Sequence, residues 1–109
     1  MLRIEALLGN NDVMAISEAL KAVEIGGLTV GKVRGRGKRP PPEIHASKGS
    51  AIFQPQFSQK YVIELIIPES KEEQVINIIK EKGTMGKIFV SPVLRSVDIA
   101  TGKEGESVI

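Results

Sequence analysis

Cysteine is absent from this chain of 109 residues, which excludes disulfides, thiolate metal sites and cysteine nucleophiles. Its one histidine, His45, has no second histidine to join it, so neither a metal site nor a histidine-based catalytic centre is expected. The aromatic residues are Phe53, Phe57, Phe89 and Tyr61, too few to build platforms for stacking nucleic-acid bases. Apolar runs are only a few residues long, against the roughly 20 that span a bilayer, and Glu5 falls inside what would have to be the apolar part of a signal peptide. The expectation is a cytoplasmic protein with no nucleic-acid partner and no direct membrane insertion.

A composition of 41% hydrophobic and 26% charged residues is that of a folded globular chain. The length suits a single domain over 1–109, so any larger active unit must come from association. The net charge of +2 is unevenly placed: Lys32, Arg34, Arg36, Lys38 and Arg39 are five cations within eight residues, and removing those five leaves −3 on the remainder. A local basic cluster on an acidic body points to an anionic ligand or partner surface, because nucleic-acid binding needs a broader basic footprint. The competing reading is a solvated strand edge whose charge discourages aggregation.

Leu2, Ile4, Ala6 and Leu8 alternate with Arg3 and Glu5, the two-residue period of a strand with one buried face. Asn10, Asn11 and Asp12 then offer N-cap oxygens to a helix over 12–24, with Val13, Ile16, Leu20 and Val23 as its apolar stripe and Gly26 and Gly27 as its end. Residues 28–36 read as a second strand weakened by Gly31 and Gly35. Prolines 40–42 and 55 with Gly49 mark residues 37–58 as a loop, and a connection of about twenty residues is a candidate interaction arm. Residues 60–67 form a strand apolar on both faces, Tyr61, Ile63, Leu65 and Ile67 on one and Val62 and Ile66 beside Glu64 on the other. Ser70 and Glu73 have the spacing of a capping box for a helix buried through Val75, Ile76, Ile78 and Ile79 and closed at Gly83. A strand over 87–94, limited by Pro92 to an edge or a bulge, precedes a tail over 95–109 with one more short strand near 97–99. Met14 and Met85 are assigned to core or turn positions.

Strand, helix, strand, strand, helix, strand is the ferredoxin-like order, an α+β fold with an antiparallel sheet and both helices on one face. The other face is left bare. Exposing residues such as Val62 and Ile66 costs about 1.5 to 3 kcal/mol each, so another copy of the chain is expected to cover them.

These residues resemble the PII nitrogen-regulatory signalling family. RIEALL at the start, ALKAVEIGGLTVGKVRGRGK, KYVIELIIP, and GKIFVSPV with a later TG are similar to that family's pieces in order and at nearly its spacing, over about 1–38 and 60–102. The resemblance implies a trimer of ferredoxin-like subunits, adenine nucleotide (ATP, ADP or AMP) in clefts between subunits, and a long loop that docks on a target such as a membrane transporter or metabolic enzyme. It implies nucleotide-binding roles for Gly27, Thr29 and Glu64 at adenine, for Gly35 and Gly37 at the loop base, and for Lys38, Gly86 and Lys87 at phosphate. Glycines let backbone N–H groups approach phosphate closely and lysine adds a point charge.

Several positions depart from the family pattern. The cradle, roughly T-G-x-x-G-D-G-K in the family, is KGTMGK here, about three residues shorter. The basic pair before TG aligns with Asp98 and Ala100, which puts triphosphate binding in question and leaves Arg34, Arg36 and Arg39 as alternative clamps. Arg39 stands where the family has a magnesium-holding glutamine, and a guanidinium has no acceptor for a metal. Weak or absent magnesium-dependent 2-oxoglutarate binding is expected, with Arg36, Arg39 and Lys60 as a candidate site for another small anion. The family's uridylylated tyrosine has no counterpart, and Ser47 and Ser50 are the loop's candidate phosphorylation sites.

The leading expectation is a non-enzymatic sensor whose ligand sets the state of loop 37–58. The alternatives are a degenerate module that binds no nucleotide and acts constitutively, and a small enzyme on a phosphorylated metabolite for which Glu64 is the sole plausible base.

Overall fold

The computed structural model of the chain describes residues 1–38, 44–45, 52–53 and 56–109. Alternating apolar residues form β1 (Leu2–Leu8), followed by α1 (Val13–Ala22) and β2 (Thr29–Gly35). A two-residue ladder then joins β3 (Ile44–His45) to β4 (Ile52–Phe53). β5 (Ser58–Ile67) leads through a 3-10 turn at Glu69–Lys71 into α2 (Glu72–Lys82), and β6 (Gly86–Pro92) completes the sheet. The small ladder lies where the sequence suggests only loop; β-branched Ile44 and Ile52 favour extended backbone and supply the missing signal. Ser47, Ser50 and Arg39 fall outside the described residues.

The main sheet has the order β2-β5-β1-β6, all antiparallel, which is the ferredoxin-like arrangement. Register explains the core. Ile4, Ala6, Leu8, Ile63, Leu65 and Ile67 share one face and are buried with Ile16 and Leu20 of α1 and Val75 and Ile79 of α2. Both helices therefore cover that face. Leu7, Val33, Val62, Ile66 and Phe89 occupy the opposite face, and none is buried; Phe89 is 49% exposed. The bare apolar face expected from the 60–67 strand is present.

Three helix-end assignments change. The Ser70–Glu73 capping box does not form: the Lys71 N–H donates to the Pro68 carbonyl at 3.0 Å, and this backbone turn starts α2 with Lys71 at its N-cap and no side-chain cap. Pro68, with φ of −64°, opens the turn before Ser70 can act. Asp12 does stand at the N-cap of α1, but its carboxylate bonds Thr84 rather than the helix. Gly26 and Gly27 are not the residues that end α1. The Ile25 N–H donates to Leu20 and the Glu24 N–H to Lys21, a Schellman closure with Glu24 at φ 65° in the position glycine usually takes. Met14 is 67% exposed on α1, outside the core, whereas Met85 is a turn residue as expected.

β6 leaves the sheet at Pro92, earlier than the expected 87–94 span, with the Val93 N–H donating to the Met1 carbonyl at 3.0 Å. The short strand expected near 97–99 is reduced to one bridge, Val97 to Glu104.

Candidate functional site

Antiparallel register brings Thr29 and Glu64 face to face, with Glu5 the next residue along the row on β1. All three lie on the open face. The Glu64 carboxylate stands 3.8 Å from the Arg3 guanidinium, both side chains being close to half exposed, so water screens the pair. Gly27 is exposed in the connection just ahead of β2. The three residues assigned to adenine thus belong to one end of β2 and the strand beside it.

Gly35 pairs with Ser58 at the other end of β2. A Cβ on Gly35 would meet Lys60 Cγ at 3.4 Å and Cε at 3.8 Å, so the Lys60 stem crosses the glycine on the open face. Gly37 and Lys38 are exposed just beyond. The Arg36 guanidinium rests 6.0 Å from the Phe57 ring, and Lys32 lies 5.9 Å from the Tyr61 ring, whose hydroxyl accepts a 3.0 Å hydrogen bond from Gln59 Nε2. Lys60 thus crosses Gly35, and Arg36, the residue after that glycine, rests on Phe57, while the third member of the small-anion set, Arg39, lies outside the described residues.

Gly86 and Lys87 begin β6, opposite Leu8 and Leu7 of β1. Rows of the sheet place them at the same end as Gly35, Gly37 and Lys38 but on the opposite edge. Three inter-strand steps of about 4.8 Å separate the edges, roughly 14 Å in all. Gly86 has φ of +132°, and a Cβ there would stand 1.8 Å from the Leu7 carbonyl oxygen. Only glycine fits. The turn before it is clamped: Thr84 donates from its N–H and from Oγ1 to Asp12 Oδ2, both at 3.0 Å, while Asn10 Nδ2 donates to Thr84 Oγ1 at 3.0 Å. Beside the turn lies an open groove of about 510 Å³, lined by Ile79, Lys80, Met85, Lys87, Ile88 and Val90 among others.

Asp98 and Ala100 sit in a tight C-terminal turn. The Asp98 carboxylate accepts the Thr101 N–H at 3.0 Å, the Asp98 N–H donates to the Lys103 carbonyl at 2.8 Å, and Arg95 pairs with Glu104 across the hairpin. Asp98 thus serves as a turn-forming residue. The spacing D-x-x-T-G was the signal for it; Asp12 and Thr84, 72 residues apart, gave none. Leu94 and Ile99 of this segment are fully exposed, at 95% and 102%.

The family model for Nitrogen regulatory protein P-II matches residues 1–103. The chain belongs to the PII family. It is 32% identical to the P-II proteins of Cereibacter sphaeroides and of Haemophilus influenzae, each match covering 100% of both chains. It is 34% identical to a P-II homolog of Arabidopsis thaliana, over 95% of this chain and 55% of that protein's length. A crystal structure of Arabidopsis thaliana PII bound to citrate superposes with a TM-score of 0.78 at 29% identity, covering 99% of this chain and 91% of that one. PII proteins are signalling regulators that respond to small effectors and act on target proteins. No helix among the described residues is long and apolar enough to cross a membrane.

Proposed function

We propose that this PII protein senses a small anionic effector, an adenine nucleotide, in clefts between three copies, and regulates a target protein through residues 37–58. The observation that carries the reading is the placement of the two phosphate-directed sets. Gly35, Gly37 and Lys38 lie at or just beyond one sheet edge and Gly86 and Lys87 on the other, which supports a cleft between two neighbouring copies, each contributing one edge, as the place where they meet a ligand. The bare face with Leu7, Val62, Ile66 and Phe89 supplies the reason for copies to meet. Thr29 and Glu64 would then hold adenine beside that cleft.

Citrate, bound by the Arabidopsis neighbour, is itself a small polyanion, which agrees with the effector class. Arg39 in place of a metal-holding amide favours an effector bound without magnesium, and against magnesium-dependent 2-oxoglutarate. Occupancy needs only a tenfold preference for one state of residues 37–58, about 1.4 kcal/mol, to shift their fit to a membrane transporter or metabolic enzyme in the cytoplasm.

Calorimetric titration with ATP, ADP and AMP, with and without magnesium, tests the reading. At least one nucleotide is expected to bind clearly tighter than about 1 mM without magnesium, and Lys38→Glu to weaken it at least about tenfold. Dissociation constants at or above about 1 mM for all three would favour a constitutive interaction module instead.

A further inference from the structure

The turn that this reading turns toward phosphate already holds an anion of its own. Backbone N–H groups and hydroxyls of tight, glycine-containing turns are the donors that phosphate oxygens take. Here the Thr84 N–H and Oγ1 both donate to Asp12 Oδ2 at 3.0 Å. Asn10 Nδ2 donates to the same Oγ1 at 3.0 Å, which leaves the single hydroxyl hydrogen to Asp12. Among the described residues no salt bridge joins a cation to Asp12, so its carboxylate is held at the turn by the two Thr84 hydrogen bonds and by its place at the N-cap of α1. Lys80 and Lys87 line the groove beside the turn, and neither neutralises the carboxylate directly.

We infer that Asp12 is a specificity-determining residue: by occupying the Thr84 donors with a carboxylate, it turns the site away from nucleoside triphosphates and toward nucleoside monophosphates. The inference rests on the proposed effector site and deepens it. A monophosphate held between Lys38 of one copy and Lys87 of the next needs no donor from Thr84. Each further phosphate would be carried toward Thr84, where it meets a like charge in place of hydrogen-bond donors. One unit charge a few ångströms away, at an effective dielectric of about 20, changes affinity by about tenfold or more. The shortened segment KGTMGK leaves Thr84, Met85 and Gly86 as the turn's remaining donors, so the loss of Thr84 removes a large share of them.

The test uses the full chain with Asp12→Asn, which keeps an acceptor for Thr84 while removing the charge, and Asp12→Ala, which releases both donors. Calorimetry compares ATP with AMP, and amide NMR follows Thr84 and Met85 during titration with inorganic pyrophosphate. Wild type is expected to bind AMP at least as tightly as ATP and to show no pyrophosphate response at Thr84. Asp12→Asn is expected to raise ATP affinity relative to AMP by about tenfold, and Asp12→Ala by at least as much. An unchanged ATP-to-AMP ratio with unmoved amides in both variants would overturn the inference, as would a wild-type Thr84 amide that already responds to pyrophosphate. If no nucleotide binds any form yet pyrophosphate moves Thr84 only in the variants, Asp12's role stands and the nucleotide reading falls.

Discussion

Gly86→Ala is expected to destabilise the fold by on the order of 3 kcal/mol or more, through two additive causes. The residue has φ of +132°, a conformation open to glycine and strained for any other residue, a penalty of roughly 1 to 3 kcal/mol. A methyl group there would also stand 1.8 Å from the Leu7 carbonyl oxygen and 2.9 Å from its carbon, atoms of the β1 backbone that cannot swing aside as a side-chain tip can. β6 must peel from β1 at its first pair, Leu8 with Gly86, and carry the 83–86 turn with it. Thermal unfolding at fixed protein concentration should show a midpoint lower by about 10 °C or more. A shift within about 3 °C would show that the strand end yields easily and that Gly86 is not needed for its backbone.

Phe89→Asp should leave each subunit folded and abolish self-association. The ring is 49% exposed on an edge strand in a single subunit, so its loss removes little from the core of Ile4, Ile16, Leu20, Ile63 and Val75. Its direct partner on β1 is Glu5, also on the open face. Covering that face with another copy would bury a new carboxylate beside an existing one, and an uncompensated buried charge costs several kcal/mol. Association should weaken at least about a hundredfold, near 2.8 kcal/mol. Sedimentation velocity of wild type and variant, with circular dichroism to confirm folding, gives the answer. A variant that assembles like wild type would mean that copies meet through some other surface.

Much of this was legible from periodicity. The alternation in Leu2–Leu8 and the two apolar faces of the KYVIELII run named both central strands, and the second of these exposed the bare face before any register was known. Glu64 beside Thr29 follows once antiparallel pairing is assumed. Less legible were contacts between residues far apart in sequence. Asp12 has the right position and chemistry for an N-cap, but Thr84 presents it with two donors at once and wins the carboxylate. Ser70 matches a capping box by spacing, yet Pro68 begins the turn earlier. Asp98 aligns with a cation in the family pattern and is used here to close its own hairpin turn with Thr101. For Asp12 and Asp98 another donor decided how the carboxylate is used, and for Ser70 an earlier backbone turn displaced the expected cap.

In the proposed mechanism the effector site exists only between copies. Subunit mixing tests it most directly, by combining a chain carrying Arg36→Glu and Lys38→Glu with one carrying Lys87→Glu. Each alone should lose effector binding. Unfolded together and refolded at equal ratio, random pairing sets an intact β2 edge against an intact β6 edge in about a quarter of the clefts, so calorimetry should recover about a quarter of the sites. Recovery of none, with both chains shown to assemble together, would place the site within a single subunit and contradict the account.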